Sequence, residues 1–305
     1  MISFADLHCD TLSECYLKNK SLEDKALHIN LSSASQFERY IQVFAHFIPE
    51  RQADKWAWFN DFLQNSKLLL KRAEIPIFHS AQDLEQKRIA VLSVEGGDLF
   101  ENLQQGEERI PYLRDEGISF FSLIYNQTNR FGCGAASKAD GGLTELGKST
   151  VPLLEENGII IDVSHASRQS TEDILDIARR PVCATHSNAF ALCNHLRNLT
   201  DRHLRRIADS GGLVGINLYP PFLSDNAQRS DIYRHISYVL DICGQDALCF
   251  GCDFDGVDCL PDGVHNLSTI EVLFYEMKQL GYPETLLEKI FYNNIMAFLN
   301  ANFRR

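Results

Sequence analysis

Short apolar segments alternate with longer amphipathic segments along the whole chain of 305 residues. Apolar runs bounded by turn residues are typical of buried parallel strands, and the segments between them show helical periodicity. The predicted strands are residues 2–8, 42–48, 89–95, 118–124, 158–164, 181–186, 212–218 and 247–253. The predicted helices are residues 52–72, 98–115, 144–157, 168–179, 200–210 and 230–243, with further helices from 268 to the C-terminus. Eight strand-then-helix units in about 250 residues predict an α/β fold, a (β/α)8 TIM barrel, rather than an open sheet.

One unit departs from this pattern. The segment from Lys18 to Gln36, after the first strand, is polar and has no clear helical stripe. We expect a small irregular insertion there, which could include a β-hairpin. No linker, low-complexity segment or repeat divides the chain, so we predict a single domain over residues 1–305.

The composition favours a protein that acts on a small molecule. The formal net charge is −12 at pH 7, and Lys and Arg form no long run, which argues against nucleic-acid and anionic-membrane partners. We find no apolar run of about 18 residues and no pattern of a signal peptide or lipid anchor. The nine cysteines are scattered without a CxxC pair, which favours reduced thiols and a cytoplasmic location over a disulfide framework.

His8 and Asp10 lie two residues apart at the end of the first predicted strand. Side chains alternate between the faces of a strand, so these two should point the same way while Cys9 points the other way. An imidazole and a carboxylate at this spacing can chelate a divalent ion. Taken alone, the triplet is more often a surface histidine beside a turn aspartate.

Further ligand-type side chains end the third, fifth, sixth and eighth predicted strands, namely Glu95, His165, His186 and Asp253. The carboxyl ends of barrel strands surround one mouth, so these groups should meet. Each histidine alone is more readily explained as a structural residue. Their shared position favours a common site, and because the ligands exceed what one tetrahedral zinc needs, we predict two ions.

In this prediction His8 and Asp10 hold one ion, His165 and His186 hold the other, and Glu95 bridges them. Two dications would lower the pKa of a bridging water toward neutrality, so that hydroxide forms at pH 7. Hydrolysis also requires a group that takes the proton of the water and delivers it to the leaving amine. We assign that role to Asp253.

Some nearby residues have more than one reading. Asp162 is a partner for a ligand imidazole or merely a buried hydrogen-bond acceptor, and the sequence favours neither. Asp255 should start the turn at Gly256 and orient its neighbours. Among the other histidines, His46 is the best candidate for supporting a ligand, because it lies inside the second strand.

Two other kinds of site are poorly supported. Residues 132–136 (GCGAA) form a truncated glycine-rich pattern, but they follow a loop rather than a strand, which disfavours a dinucleotide site. A thiol nucleophile at Cys9 would have no base in reach, because alternation turns it away from His8 and Asp10.

With these residues assembled, the chain resembles the membrane (renal-type) dipeptidase family of the amidohydrolase superfamily over nearly its whole length. The segments that carry the resemblance are DLHCDT (6–11), VEGG (94–97), IDVSH (161–165), THSNA (185–189), RNLTD (197–201) and GCDFDGV (251–257). The resemblance implies a binuclear zinc dipeptidase, with other divalent metals possible, that attacks its substrate with a metal-bridging hydroxide. It assigns His8, Asp10 and Glu95 to one ion and Glu95, His165 and His186 to the other, and it gives the proton transfer to Asp253.

The resemblance also implies that Arg197 binds the free carboxylate of a dipeptide, that Tyr219 contacts the substrate, and that the protein is a homodimer. A planar guanidinium can hold a carboxylate with two hydrogen bonds, which would restrict activity to short substrates with a free C-terminus. Dipeptides with a C-terminal D-residue are expected among them.

The chain departs from the family at Tyr125, where the well-studied animal members carry a histidine that polarises the scissile carbonyl. A phenol can donate a hydrogen bond to an oxyanion but cannot supply a positive charge. We therefore expect Tyr125 to occupy this catalytic position with an altered substrate preference.

Two alternatives to a dipeptidase fit the sequence less well. Lactone or N-acyl amino acid hydrolases of the superfamily usually begin with HxH and carry a bridging lysine, whereas this chain has HxD and Glu95. A non-catalytic metal-binding barrel would not need Asp253.

Overall fold

The computed structural model describes residues 1–138 and 141–304. Within them, eight parallel strands form one sheet in the order β6-β5-β4-β3-β2-β1-β8-β7. The strands are β1 (Phe4–Cys9), β2 (Tyr40–Phe47), β3 (Arg88–Glu95), β4 (Ile118–Ser122), β5 (Ile160–Asp162), β6 (Val182–Cys183), β7 (Val214–Ile216) and β8 (Leu248–Phe250). All eight correspond to predicted strands, although β4 to β8 end earlier than predicted.

Helices follow the strands on the outside. They are α1 (Thr11–Lys18), α2 (Leu31–Ala34), α3 (Lys55–Arg72), α4 (Leu103–Asp115), α5 (Glu145–Glu156), α6 (Arg168–Ile177), α7 (Asp201–Asp209), α8 (Pro220–Leu223), α9 (Arg229–Cys243), α10 (Thr269–Gln279), α11 (Glu284–Glu288) and α12 (Asn294–Asn302). Side-chain caps at several N-termini fix where helices begin, as where Thr200 accepts a hydrogen bond from the backbone of His203. None of the described helices has both the length and the apolar character needed to span a bilayer.

The two outer strands of the sheet, β6 and β7, approach each other where Ala184 follows β6. The Ala184 N–H donates to Leu213 O over 2.9 Å, and the Gly215 N–H donates to Ala184 O over 2.8 Å. These bonds bring the sheet into a nearly closed barrel, which confirms the predicted (β/α)8 architecture.

The barrel interior is filled by alternate strand residues. Ala5 and Leu7 of β1 belong to the same apolar cluster as Ile41 and Val43 of β2, as the two-residue period of a strand requires. The C-terminal helix joins this cluster, and Phe298 of α12 stacks on Phe120 with ring centroids 6.2 Å apart. The chain's last helix therefore packs against the barrel core, at the end opposite the strand carboxyl ends.

The segment after β1 differs from the prediction. Residues 18–36 contain no strand, so the expectation of a hairpin was wrong, and they include only the short helix α2. Helix α1, directly after β1, was missed. Asp255 tethers this region, because its carboxylate accepts hydrogen bonds from Thr11 Oγ1 (2.6 Å) and the backbone N–H of His28 (2.7 Å). A contact between residues more than 220 positions apart in the sequence leaves no local pattern from which it could be predicted.

Candidate metal centre and substrate pocket

The five predicted ligands meet at one mouth of the barrel. Nε2 of His8 lies 3.4 Å from Asp10 Oδ2 and 3.6 Å from Glu95 Oε1. The same Glu95 oxygen lies 2.7 Å from His165 Nε2 and 3.6 Å from His186 Nε2. Glu95 thus faces all three histidines, which is the central position predicted for a bridging carboxylate.

Two overlapping sets of donor atoms could hold ions. One set is His8, Glu95 and His186, the other is His8, Asp10 and Asp253, and within each set the atoms lie within 4.8 Å of one another. His8 belongs to both sets. The two sets place the candidate centre between the ends of β1, β3, β6 and β8.

A β-bulge in β1 aims His8. Asp6 pairs with Gln42 and Cys9 with Phe44, so three steps along β1 match two steps along β2. Leu7 packs in the barrel interior, and the next residue, His8, still faces the barrel mouth. The predicted side of His8 was therefore right, but simple alternation does not explain it. Asp10 lies after the strand, at the start of α1.

The donor atoms fit a cation. Nε2 of His8 is buried and has no hydrogen-bond partner among the described residues. Burial alone would lower the pKa of His8, but Glu95, Asp10 and Asp253 raise it to about 10. Burial, together with the charge of Arg197, holds the pKa of His165 well below its usual value, so its ring is neutral. The raised pKa of His8 shows that the carboxylates around it favour a positive charge at this place, and carboxylates together with imidazoles form a donor set suited to a divalent ion.

Asp253 sits on a strained turn. Its φ is +62°, in the left-handed region that aspartate adopts more readily than most residues. Asn217 Nδ2 donates to its Oδ2 over 2.9 Å, and its Oδ1 lies 3.8 Å from His8 Nε2. Burial raises the pKa of Asp253, while His8 and the hydrogen bond from Asn217 lower it. A carboxyl with opposing influences of this kind can take up and release a proton.

Gly256 leaves room for the carboxylates of Asp10 and Asp253. A Cβ at this position would lie 2.3 Å from Asp10 Oδ2 and 2.5 Å from Asp253 Oδ1. Only glycine allows the backbone to approach the two groups this closely. The sequence pattern marks Gly256 only as a turn residue and does not reveal this requirement.

Arg197 brings a buried positive charge to the same mouth. Its side chain is only 6% exposed, Nη2 lies 2.9 Å from His165 Nε2, and Nη1 donates to Ser164 O. None of the ion pairs among the described residues includes Arg197. Burial lowers its pKa, whereas Asp253 and Glu95 raise it. A guanidinium without a carboxylate partner is positioned to receive one from a ligand.

A cavity of about 430 Å³ opens onto this centre. Its lining includes Tyr125, Tyr219, His165, Arg197 and Asp253, so the predicted substrate residues and the candidate proton carrier share one space. The Tyr125 ring stacks on His165 with centroids 4.4 Å apart. Burial and the charge of Glu95 raise the pKa of Tyr125, so its phenol keeps its proton and can donate a hydrogen bond.

Supporting hydrogen bonds come from residues outside the predicted ligand set. Asn126 Oδ1 accepts from His165 Nδ1 over 2.9 Å, and Thr185 Oγ1 lies 2.8 Å from His186 Nδ1. Asp162 binds Thr185 Oγ1 over 2.8 Å, so it reaches an imidazole only through a threonine. Both readings of Asp162 were therefore partly right. The one signal for Asn126 and Thr185 was that each adjoins a selected residue.

His46 and Cys9 lie away from this chemistry. His46 Nδ1 donates to Ser93 O over 3.1 Å and Nε2 accepts from Ser66 Oγ over 3.0 Å, so its ring holds β2 to β3 and α3. The expectation that it supports a ligand was wrong. Cys9 is fully buried in the apolar layer outside the barrel, and burial raises the pKa of its thiol well above the usual value. A protonated, buried thiol is not a nucleophile.

The sequence of this chain is similar to those of known proteins. The sequence model of the membrane dipeptidase family, peptidase family M19, matches residues 1–302. An uncharacterized protein encoded in the pqqA 5′ region of Klebsiella pneumoniae is 35% identical over 238 residues, which cover 72% of this chain and 86% of the relative. An uncharacterized dipeptidase of Schizosaccharomyces pombe is 33% identical over 180 residues, 55% of this chain and 43% of that protein.

Solved structures share the fold. Dipeptidase AC, a metallopeptidase of family M19, superposes with a TM-score of 0.90 at 23% identity over 100% of this chain and 99% of that chain. A metallopeptidase from Rhodobacter sphaeroides, solved with a phosphinate mimic of the dipeptide L-Ala-D-Ala, superposes with a TM-score of 0.85 at 23% identity over 99% of both chains.

Proposed function

The chain belongs to the membrane dipeptidase family of metallopeptidases, and we propose that it is a binuclear zinc enzyme that hydrolyses dipeptides with a free C-terminal carboxylate, including L,D-dipeptides. The family makes it a metal-dependent hydrolase of peptide bonds. The number of ions, the metal, the residue roles and the substrate class are our inference from the site.

The observation that carries the proposal is the convergence of Glu95 with three histidines, of which His8 has a buried Nε2 without a hydrogen-bond partner among the described residues. His8, Asp10 and Glu95 would hold one ion, and Glu95, His165 and His186 would hold the other. Bound there, two divalent ions would lower the pKa of a bridging water so that it supplies hydroxide near neutral pH.

Asp253 would carry the proton. Its Oδ2 is held by Asn217, and its other oxygen faces the centre, so one carboxyl can receive a proton from water and pass it to the leaving amine. The left-handed turn at Asp253 and the small Gly256 beside it fix this orientation.

Arg197 and Tyr125 would each bind a different group of the dipeptide. The guanidinium would pair with the substrate carboxylate, because it is buried at the cavity wall without an acidic partner among the described residues. The Tyr125 phenol would donate to the carbonyl oxygen as negative charge develops there. Tyr219 lines the same cavity and would contact the side chain or carboxylate of the C-terminal residue.

The cavity size and a structural relative support small substrates. About 430 Å³ lies in the range of about 300–1,000 Å³ typical of small-molecule sites. The Rhodobacter sphaeroides metallopeptidase is liganded with a mimic of L-Ala-D-Ala, which supports including L,D-dipeptides in our proposal. The cytoplasmic location and the homodimer stay predictions.

The proposal is tested by metal analysis combined with a dipeptide screen. We expect close to two equivalents of zinc, hydrolysis of L,L- and L,D-dipeptides, loss of rate with a chelator and recovery with zinc. The same dipeptides with an amidated C-terminus should be poor substrates. Fewer than about one equivalent of metal in fully active protein would contradict the binuclear centre.

An Asp253→Asn variant separates metal binding from proton transfer. It removes the proton acceptor but keeps a side chain of the same shape, so we expect both ions to remain and turnover to fall by about 10² to 10⁴-fold. A rate within about tenfold of the original enzyme would remove Asp253 from this role.

A further inference from the structure

The Thr185 hydroxyl lies between two of the candidate ligands. Its Oγ1 is 2.8 Å from His186 Nδ1 and 3.4 Å from His8 Nδ1. The two imidazole rings lie close together, with centroids 3.7 Å apart and their planes tilted by 36°. Thr185 is 1% exposed, so no bulk solvent competes for these contacts. The Thr185 hydroxyl therefore contacts Nδ1 of two different histidines.

Asp162 determines where the hydroxyl proton goes. Its Oδ2 accepts from Thr185 Oγ1 over 2.8 Å and from Ser122 Oγ over 2.7 Å. Its Oδ1 accepts from Ser164 Oγ over 2.6 Å and from the Thr185 N–H over 2.9 Å. A threonine hydroxyl has a single proton, and in this arrangement it is donated to Asp162. The lone pairs of Thr185 Oγ1 then face the imidazoles.

We propose that the Thr185 hydroxyl is a positioning group that accepts hydrogen bonds from Nδ1 of both His8 and His186 and thereby directs Nε2 of each ring to the metal centre. The inference rests on the proposed function, in which these histidines belong to different ions. A ring that carries its hydrogen on Nδ1 has a free lone pair on Nε2, and ligand histidines are commonly fixed in this way by a second hydrogen bond.

His165 provides an internal comparison. Its Nδ1 is held by Asn126 Oδ1 and not by Thr185. A change at Thr185 should therefore affect His186 and His8 but leave the hydrogen position on His165 unchanged. A general loosening of the barrel mouth would affect all three rings.

The first test uses long-range ¹H–¹⁵N spectra of the full-length protein. In the zinc-free protein we expect His186 to carry its hydrogen on Nδ1, and in the zinc-loaded protein we expect the same for both His8 and His186. Thr185→Val removes the hydroxyl at nearly constant volume and should give a mixture of His186 tautomers. Thr185→Ser keeps the hydroxyl and should restore the original spectrum.

The second test measures zinc affinity by competition with a chromophoric chelator. We expect Thr185→Val to weaken zinc binding by about 10 to 100-fold, the usual effect of removing such a partner, and Thr185→Ser to recover it. Ser122→Ala is the matched control, because it removes another donor to the same Asp162 oxygen and leaves the Thr185 contacts in place. Its affinity should be unchanged.

The outcomes separate this inference from the proposed function. The positioning role would be overturned if Thr185→Val left the tautomers and the zinc affinity unaltered. It would also be overturned if His186 carried its hydrogen on Nε2 in the original protein. In either case, two bound zinc ions would still support the dipeptidase. A protein with the expected His186 tautomer that fails to bind two ions would overturn the binuclear centre instead. If Thr185→Val does not fold, the position of the His186 hydrogen in the spectrum of the original protein decides.

Discussion

Asn217 Nδ2 donates a hydrogen bond to Asp253 Oδ2 over 2.9 Å, within the wall of the candidate metal centre. A hydrogen bond to the charged carboxylate lowers its pKa, whereas burial raises it, and in Asp253 the raising influence is larger. Asn217, together with the charge of His8, therefore limits how far the pKa of the proposed proton carrier rises.

The first prediction concerns the pH profile of an Asn217→Ala variant. Without the amide, the pKa of Asp253 should rise further, so the carboxylate form is populated only at higher pH. The acidic limb of kcat/KM should move to higher pH, with bound zinc unchanged. Ser187→Ala, another buried polar position near the barrel mouth, serves as the control. A limb that stays in place or moves to lower pH would contradict the role of this hydrogen bond.

The second prediction concerns Gly256→Ala. The added Cβ would clash with both Asp10 and Asp253, so neither carboxylate can keep its place. We expect loss of zinc and a rate at least about 100-fold lower, since misplacement by about 1 Å costs this much. Gly244→Ala is the control, because a Cβ there meets nothing within 4 Å although φ is +76°. It should lose about 1 kcal/mol of stability and keep its zinc.

The architecture could be predicted from the sequence because it depends on local patterns. Each strand of the barrel is a short apolar run beside a helical segment, and the ligand residues follow those runs directly. The nine predicted site residues lie around the same mouth: Asp253, Tyr125, Arg197, Tyr219, His8, Asp10, Glu95, His165 and His186.

The missed features depend on contacts between distant segments. The bulge that aims His8 is visible only as a register shift between β1 and β2, and Thr185 acquires its importance from Asp162, which lies on another strand. The tether from Asp255 to His28 likewise orders the segment after β1 through a contact that periodicity cannot reveal. Such relationships require the folded barrel.

The third prediction tests the carboxylate site. Arg197→Met removes the guanidinium while keeping an unbranched side chain, so KM for dipeptides should rise about 100-fold or more, as expected for loss of a buried charged hydrogen-bond partner. Activity on C-terminal amides should change much less, because they lack the charge that Arg197 would bind. Arg197→Lys should recover only part of the affinity, because a point charge cannot form the paired hydrogen bonds. An unchanged KM in Arg197→Met would exclude this role.

The fourth prediction concerns Asp6, a fully buried carboxyl on β1 whose Oδ2 has no hydrogen-bond partner among the described residues. Burial raises its pKa from 3.8 to about 6, although backbone hydrogen bonds from Cys252 and His8 to its other oxygen lower it. The folded protein therefore binds this proton more tightly than the unfolded chain does. The stability that the protonated Asp6 carboxyl contributes is fully present below pH 4 and is lost as the pH rises through about 6.

An Asp6→Asn variant carries no titratable group at this position. As the pH rises from 4 to 8, the free energy of unfolding of the original protein should fall by about 3 kcal/mol relative to that of Asp6→Asn. A pKa shift of this size implies that value. The measurement is urea unfolding of zinc-free protein at several pH values, so that metal binding does not contribute. A difference between the two proteins that stays constant across this range would show that Asp6 titrates alike in the folded and unfolded chains.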